Sequence, residues 1–292
     1  LRLLEARPLN RKANRLQYYW LFFAVSSLIF AGVFAFLAAM TRTPAVKLLP
    51  SVDYFHVSIV AHVIFSLVVW FLGFMGALWA YTAFKDGKSD ISKLHMGFWL
   101  AVLGMTLIAF SSLLGLGEPV LIDYVPLLDH PLYFAGLLFL ASGITLTIFG
   151  YVKPIIMSRK RELDVATYGM LVVATITIVA FLSVFFSAIS NGASNYKALF
   201  WGPGHIIQFA NTLAMVVVWF ILLEKSIESR INKTLVKKLM LIYLFVALAL
   251  PMIYFLPPTE QTHLFTLSMG YGIGVPSFFL ALIVLKAVWD RN

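Results

Sequence analysis

The sequence predicts an all-α polytopic membrane protein of eight transmembrane helices with a cytoplasmic N-terminus. Three observations carry that prediction. Of 292 residues, 61% are hydrophobic and only 12% charged, with a mean hydropathy of +0.91, whereas a water-soluble domain is roughly 25% charged. The apolar residues gather into eight runs of bilayer length, and the basic residues collect at alternate ends of those runs. The absence of cysteine excludes a disulfide framework and a cysteine-ligated zinc or iron–sulfur centre. A net charge of +9 invites a nucleic-acid reading, but basic clusters set between apolar runs report topology, and no nucleic-acid partner is expected.

A run of about 20 apolar residues crosses a bilayer as a helix because each backbone polar group must then be satisfied within the segment. The runs lie near 18–40, 54–83, 96–116, 131–152, 166–189, 199–223, 237–256 and 264–289. The first is a full span without a small-residue cleavage site, so no cleavable signal peptide is expected. The second is long enough to tilt or project. The third ends in turn chemistry at Gly115, Gly117 and Pro119, the fifth at Asn191 and Gly192, the seventh at Pro257 and Pro258. Loops between the runs are read as short and polar.

Orientation follows from Lys and Arg, which are retained on the cytoplasmic side. With the N-terminus inside, the inner segments hold Arg2, Arg7, Arg11, Lys12 and Arg15; Lys85, Lys88 and Lys93; Lys153, Arg159, Lys160 and Arg161; Lys225, Arg230, Lys233, Lys237 and Lys238; and Lys286 with Arg291, or 19 of the 22 basic residues. Outside remain Arg42, Lys47 and Lys197, with Asp53, Glu118, Asp123, Asp129 and Glu260. An odd helix count breaks this alternation. Residues 1–292 are read as a single transmembrane domain. The chain starts at Leu1 and closes on Trp289, Asp290, Arg291 and Asn292 just after an apolar run, so truncation at either end is an open reading.

Five of the six histidines fall toward the outer side: His56 and His62 in the second run, His130 opening the fourth, His205 early in the sixth and His263 opening the eighth. His95 is on the inner side. An imidazole inside a bilayer is costly and turns inward toward a partner. His56 and His95 read as interfacial anchors. His62, His205 and His263, at similar depth on three helices, read as ligands, because neutral imidazole binds haem iron and copper and bundles build such sites from inward-facing side chains. His205 closes the segment Phe200, Trp201, Gly202, Pro203, Gly204. His62 precedes Trp70 to Gly73 and Gly76. These glycines serve either helix packing or the approach of a flat ring; beside histidines, the reading taken is room for a porphyrin.

These residues resemble the catalytic subunit I of haem–copper oxidases, a family that includes the nitric oxide reductases, and the resemblance covers the first eight helices of that twelve-helix fold. It implies that Ala61-His62 with Trp70 to Gly76 is the low-spin haem ligand segment. It further implies that Trp201 to His205 is the helix 6 motif for copper or non-haem iron. Thr262-His263-Leu264-Phe265-Thr266 is similar to the His-His motif before helix 8, and Asp129-His130-Pro131 is similar to a variant branch. Lys286, with Ser277, Tyr271 and Thr266, resembles the lysine proton channel, although a terminal lysine also snorkels to the interface.

Three departures matter. Thr262 replaces the first histidine of the pair, leaving His205 and His263 and putting copper occupancy in question. Phe209 stands where many oxidases carry a tyrosine four residues after the metal histidine; Tyr243 or Tyr254 on helix 7 is the replacement, as in other branches. The last four helices, with the second low-spin ligand and the high-spin haem ligand, are not in this sequence; a longer gene product or a partner polypeptide is expected to carry them. The implied function is a respiratory terminal oxidase subunit of a bacterial plasma membrane or mitochondrial-type inner membrane. Electrons from cytochrome c or quinol pass through low-spin and high-spin haem to dioxygen, with other oxidase subunits as partners. The alternatives are a nitric oxide reductase-like subunit, for which only Gln208 lies near His205 in place of glutamates, and a non-catalytic structural homologue. A haem A synthase-like enzyme is the rival from another class, since His62, His130, His205 and His263 reproduce its layout without its Glu-x-x-His signature.

Overall fold

Apolar runs of this length close their own backbone hydrogen bonds, and in the computed structural model eight helices are long and apolar enough to cross a membrane: Arg15–Thr41, Tyr54–Ala83, Ile91–Leu113, Pro131–Met157, Val165–Asn191, Tyr196–Ser226, Lys233–Phe255 and Pro258–Trp289. The structure describes residues 11–44, 53–85, 90–157, 162–226 and 231–290. Of the charges used to assign sidedness, Arg2, Arg7, Lys47, Lys88, Arg159, Lys160, Arg161, Arg230 and Arg291 lie outside the described residues. Several helices start at short polar caps. Asp53, Asp90, Asp164 and Asn232 each accept a backbone N–H from the third residue on, a device that stabilises a helix by about 1 kcal/mol.

The chain packs as two units that divide between residues 159 and 160. The first holds α1 (Arg11–Thr41), α2 (Tyr54–Val63, Ile64–Val69 and Trp70–Lys85), α3 (Ile91–Leu113) and α4 (Pro131–Met157). The middle section of α2 is a π turn. Lipid supplies no hydrophobic drive between helices, so close packing rests on small residues. In α3 and α4 they recur every seventh position. A Cβ on Gly143 would lie 2.5 Å from both Ala101 N and Gly97 O, and one on Gly136 3.0 Å from Gly104 O. Between α3 and α4 the expected irregular loop is instead a two-stranded hairpin, β1 (Glu118–Val120) against β2 (Leu127–Asp129), in register Glu118↔Asp129. Gly117 enters it at φ +84° and Tyr124 turns its tip at φ 67°. Leu127 and Leu128 are fully buried, and the Tyr133 hydroxyl donates to Pro126 O at 3.1 Å. Burial of those leucines is what converts a run of turn residues into paired strands.

The second unit holds α5 (Val165–Asn191), α6 (Tyr196–Ser226), α7 (Lys233–Ala249, tightening to a 3-10 turn over Leu250–Phe255) and α8 (Pro258–Leu267, Ser268–Ile273 and Gly274–Trp289), the middle section of α8 being a second π turn. Gly192 at φ +83° ends α5. Gly169 admits Val217 and Met240, and Gly272 admits Phe209 and Val246. Only 17% of the most apolar stretch of α8 is buried, against 61% for α6. Most of α8 therefore meets the surroundings of the unit.

Candidate functional site

The first unit positions His62. Its ring is half-buried on α2, and Nδ1 lies 2.9 Å from Ala31 O on α1. A carbonyl only accepts, so Nδ1 carries the proton and Nε2 carries the basic lone pair. This is the tautomer that an axial ligand to haem iron needs, and the carbonyl fixes the ring's orientation as an outer partner of a metal-binding imidazole does. Immediately below, the π turn Ile64–Val69 presents Phe65, stacked on Phe30 at 5.3 Å and on Phe34 at 6.0 Å between centroids. Single π turns concentrate at functional sites. The residues around His62 thus fit one axial ligand to a haem. Room for the ring does not come from the glycines that suggested it. A Cβ on Gly73 would meet Phe23 at 2.6 Å and one on Gly76 would meet Trp20 at 2.5 Å, so these positions seat α1 aromatics.

The second unit positions His205, which is 6% exposed on α6. Its Nδ1 donates to Trp201 O at 2.7 Å, again placing the lone pair on Nε2. Pro203, two residues earlier, has no N–H to offer the helix. Trp201 tilts over the imidazole at 3.9 Å and Phe265 of α8 lies at 5.9 Å. Gly202 receives the Tyr254 ring rather than a porphyrin: its α-carbon faces the Tyr254 hydroxyl and Phe265. His263 is exposed on α8, as are Thr262 and Thr266. The Thr262 hydroxyl donates to Pro258 O at 3.4 Å. Among the described residues, no three of His, Cys, Asp and Glu gather as a metal-ligand set. The metal site implied by the resemblance is therefore not complete in these residues, and no step is derived through it.

Tyr243 and Tyr254 are both buried. Tyr243 shares a hydrogen bond of 2.5 Å with Ser277 across α7 and α8. Lys286 and Tyr271 are exposed, so of the channel residues the sequence suggested, Ser277 alone is tied to a buried group.

His130 and His56 take local roles. His130 caps α4: its Nδ1 accepts from Leu132 N at 3.2 Å and its carbonyl accepts from Tyr133 and Phe134. We expect His130→Ala to lower thermal stability by about 1 kcal/mol, the usual worth of a cap, and to leave any haem spectrum unchanged. His56 pairs through Nδ1 with the cap residue Asp53 at 2.5 Å, and that hydrogen bond holds the Asp53 carboxyl below its ordinary range. Arg42 lies 4.1 Å from the Phe55 ring centroid beside it.

Eight helices long and apolar enough to cross a membrane define the class: a polytopic helical membrane protein. The chain belongs to the family Cytochrome C and Quinol oxidase polypeptide I, which it matches over residues 15–292. It is 28% identical over 279 residues to an uncharacterised protein of Aquifex aeolicus (strain VF5), covering 91% of this chain and 68% of that one. It is 22% identical over 245 residues to an uncharacterised protein of Rickettsia prowazekii (strain Madrid E), covering 72% of this chain and 47% of that one. The chain thus spans about two thirds of one relative and about half of the other.

Proposed function

We propose that the chain is the haem-binding redox subunit of a membrane terminal oxidase, with His62 as an axial ligand to a low-spin haem. The observation that carries this reading is the His62 Nδ1–H bond to Ala31 O, together with family membership over residues 15–292. A bound haem supplies one-electron redox chemistry. The chain's own part is to orient the imidazole through Ala31 O, with the Nε2 lone pair left for a metal. Cytochrome c or quinol is the donor and dioxygen the acceptor. Further oxidase subunits, including a polypeptide or chain segment with the remaining helices, complete the assembly in a bacterial plasma membrane or mitochondrial-type inner membrane.

A second reading, a structural homologue that has kept the bundle and lost the reaction, is favoured by the missing three-ligand set. The family match favours both over a haem A synthase, as does the capping role of His130. A dithionite-reduced minus oxidised optical spectrum of the purified complex separates the two. A low-spin haem band is the expected result; a spectrum without haem in a complex of verified subunit masses leaves the structural homologue.

A further inference from the structure

The first section of α2, Tyr54–Val63, is open along a single strip. Phe55, His56, Ile59, His62 and Val63 are half-buried there, while Tyr54, Val57, Ser58, Val60 and Ala61 are buried. Phe55 and His62 are seven residues apart in this regular helix, which places them on one face, two turns and about 10 Å from each other. A cation stands at the far end of the strip. Arg42, directly after α1, holds its guanidinium carbon 4.1 Å from the centroid of the Phe55 ring. Arg42 is exposed, and among the described residues it pairs with no carboxylate; Asp53 is held by His56.

The strip has the layout of a cradle for a flat ligand with a charged edge. A haem is an apolar ring that carries its two carboxylates, the propionates, on one side. Ionised carboxylates are costly in hydrocarbon, so that side turns to the nearer end of the helix. From His62 the end at Tyr54 is eight residues away, about 12 Å, and the end at Lys85 roughly 35 Å. The nearer end is the one that holds Arg42. Phe55 steadies the guanidinium through its ring face, and the planar fork of N–H donors matches a carboxylate bidentately.

We propose that Arg42 receives a propionate carboxylate of the haem whose iron His62 ligates. This rests on the reading of His62 as an axial ligand. Arg42 is then a binding residue at the haem's edge. No bond to the haem is made or broken there, and the positive charge also favours the ferrous form, because it opposes the extra charge of ferric iron.

The test uses the complex with its partner subunits in lipid, its haem labelled with carbon-13 in the propionate carboxyls. Infrared spectra, reduced minus oxidised, then identify the haem's own carboxylate bands. We expect R42Q to shift at least one labelled band, with the low-spin haem still present. The midpoint potential is the second readout. Removing a charge about 10 Å from the iron, at an effective dielectric near 20, lowers the ferrous-to-ferric ratio at a fixed potential by up to about tenfold. That is a fall of up to about 59 mV for one electron, and R42K, which keeps the charge, restores it. Labelled bands unmoved in R42Q overturn the contact whatever the midpoint does, and leave His62 as the ligand. Should R42Q carry no haem, R42K decides: haem regained with the labelled bands in place supports the contact, and haem absent again overturns it. A haem band that survives His62→Ala, or an unaltered complex without haem, overturns the reading of His62 instead, and the role of Arg42 falls with it.

Discussion

The complex carrying His62→Ala loses the low-spin haem band, while the band survives His130→Ala. The backbone of Ala31 keeps its place in α1 when the imidazole is removed. Losing the one cross-helix bond from His62 is therefore expected to cost only about 1 kcal/mol. Loss of the spectrum then reports ligation rather than collapse. His62→Met sharpens the result, because a thioether is also an axial ligand and raises the reduction potential relative to imidazole. We expect haem retained with a higher midpoint in potentiometric titration. A spectrum unchanged in His62→Ala would remove His62 from the ligand set.

The largest effect on stability is expected at Gly143. A side chain there meets the backbone of α3 on two sides, Ala101 N and Gly97 O each 2.5 Å from the Cβ position. Backbone cannot swing away as the end of a side chain can. Overpacking ordinarily costs about 1–3 kcal/mol, and Gly143→Val is expected at or above the top of that range because α3 and α4 have to separate along their length. Gly32 is the matched control. Its Cβ position has nothing within 4 Å, so Gly32→Ala is neutral or stabilises by up to about 1 kcal/mol through helix propensity. Unfolding titrations of both variants in mixed micelles check the contrast, and equal stabilities would show that α3 and α4 do not depend on close backbone approach.

Eight spans were legible because the bilayer sets one length and the sequence meets it eight times. Their ends were less so: the third helix begins at Ile91 rather than near 96 because Asp90 caps it, and charged residues extend a helix beyond the apolar run that announces it. The cap at His130 is readable in retrospect from the proline that follows it, since proline favours the first helical position. The hairpin over Glu118–Asp129 was hidden by its own prolines and turn residues. Gly73 and Gly76 were noticed, but their partners Trp20 and Phe23 lie on another helix, and a packing partner has no local signal. The seven-residue repeat of Gly97, Gly104, Gly136, Gly143 and Gly150 was on view and marks the closest helix pair of its unit. The partner that orients His62 is a main-chain oxygen, which every residue possesses, so no side-chain pattern points to Ala31.

The π turn of α2 has a consequence for how such chains are compared. It amounts to one residue more than a regular helix uses over Ile64–Val69. Each residue of an α-helix advances the face by about 100°. Deleting a single residue from a regular helix swings everything beyond it by that angle, but the π turn already holds its extra residue as slack. Losing one residue over Ile64–Val69 would close the turn to a regular one and leave Gly73 and Gly76 facing Phe23 and Trp20. A one-residue gap between His62 and Gly73 in a pairwise comparison therefore marks a regular α2 with the same α1–α2 seam.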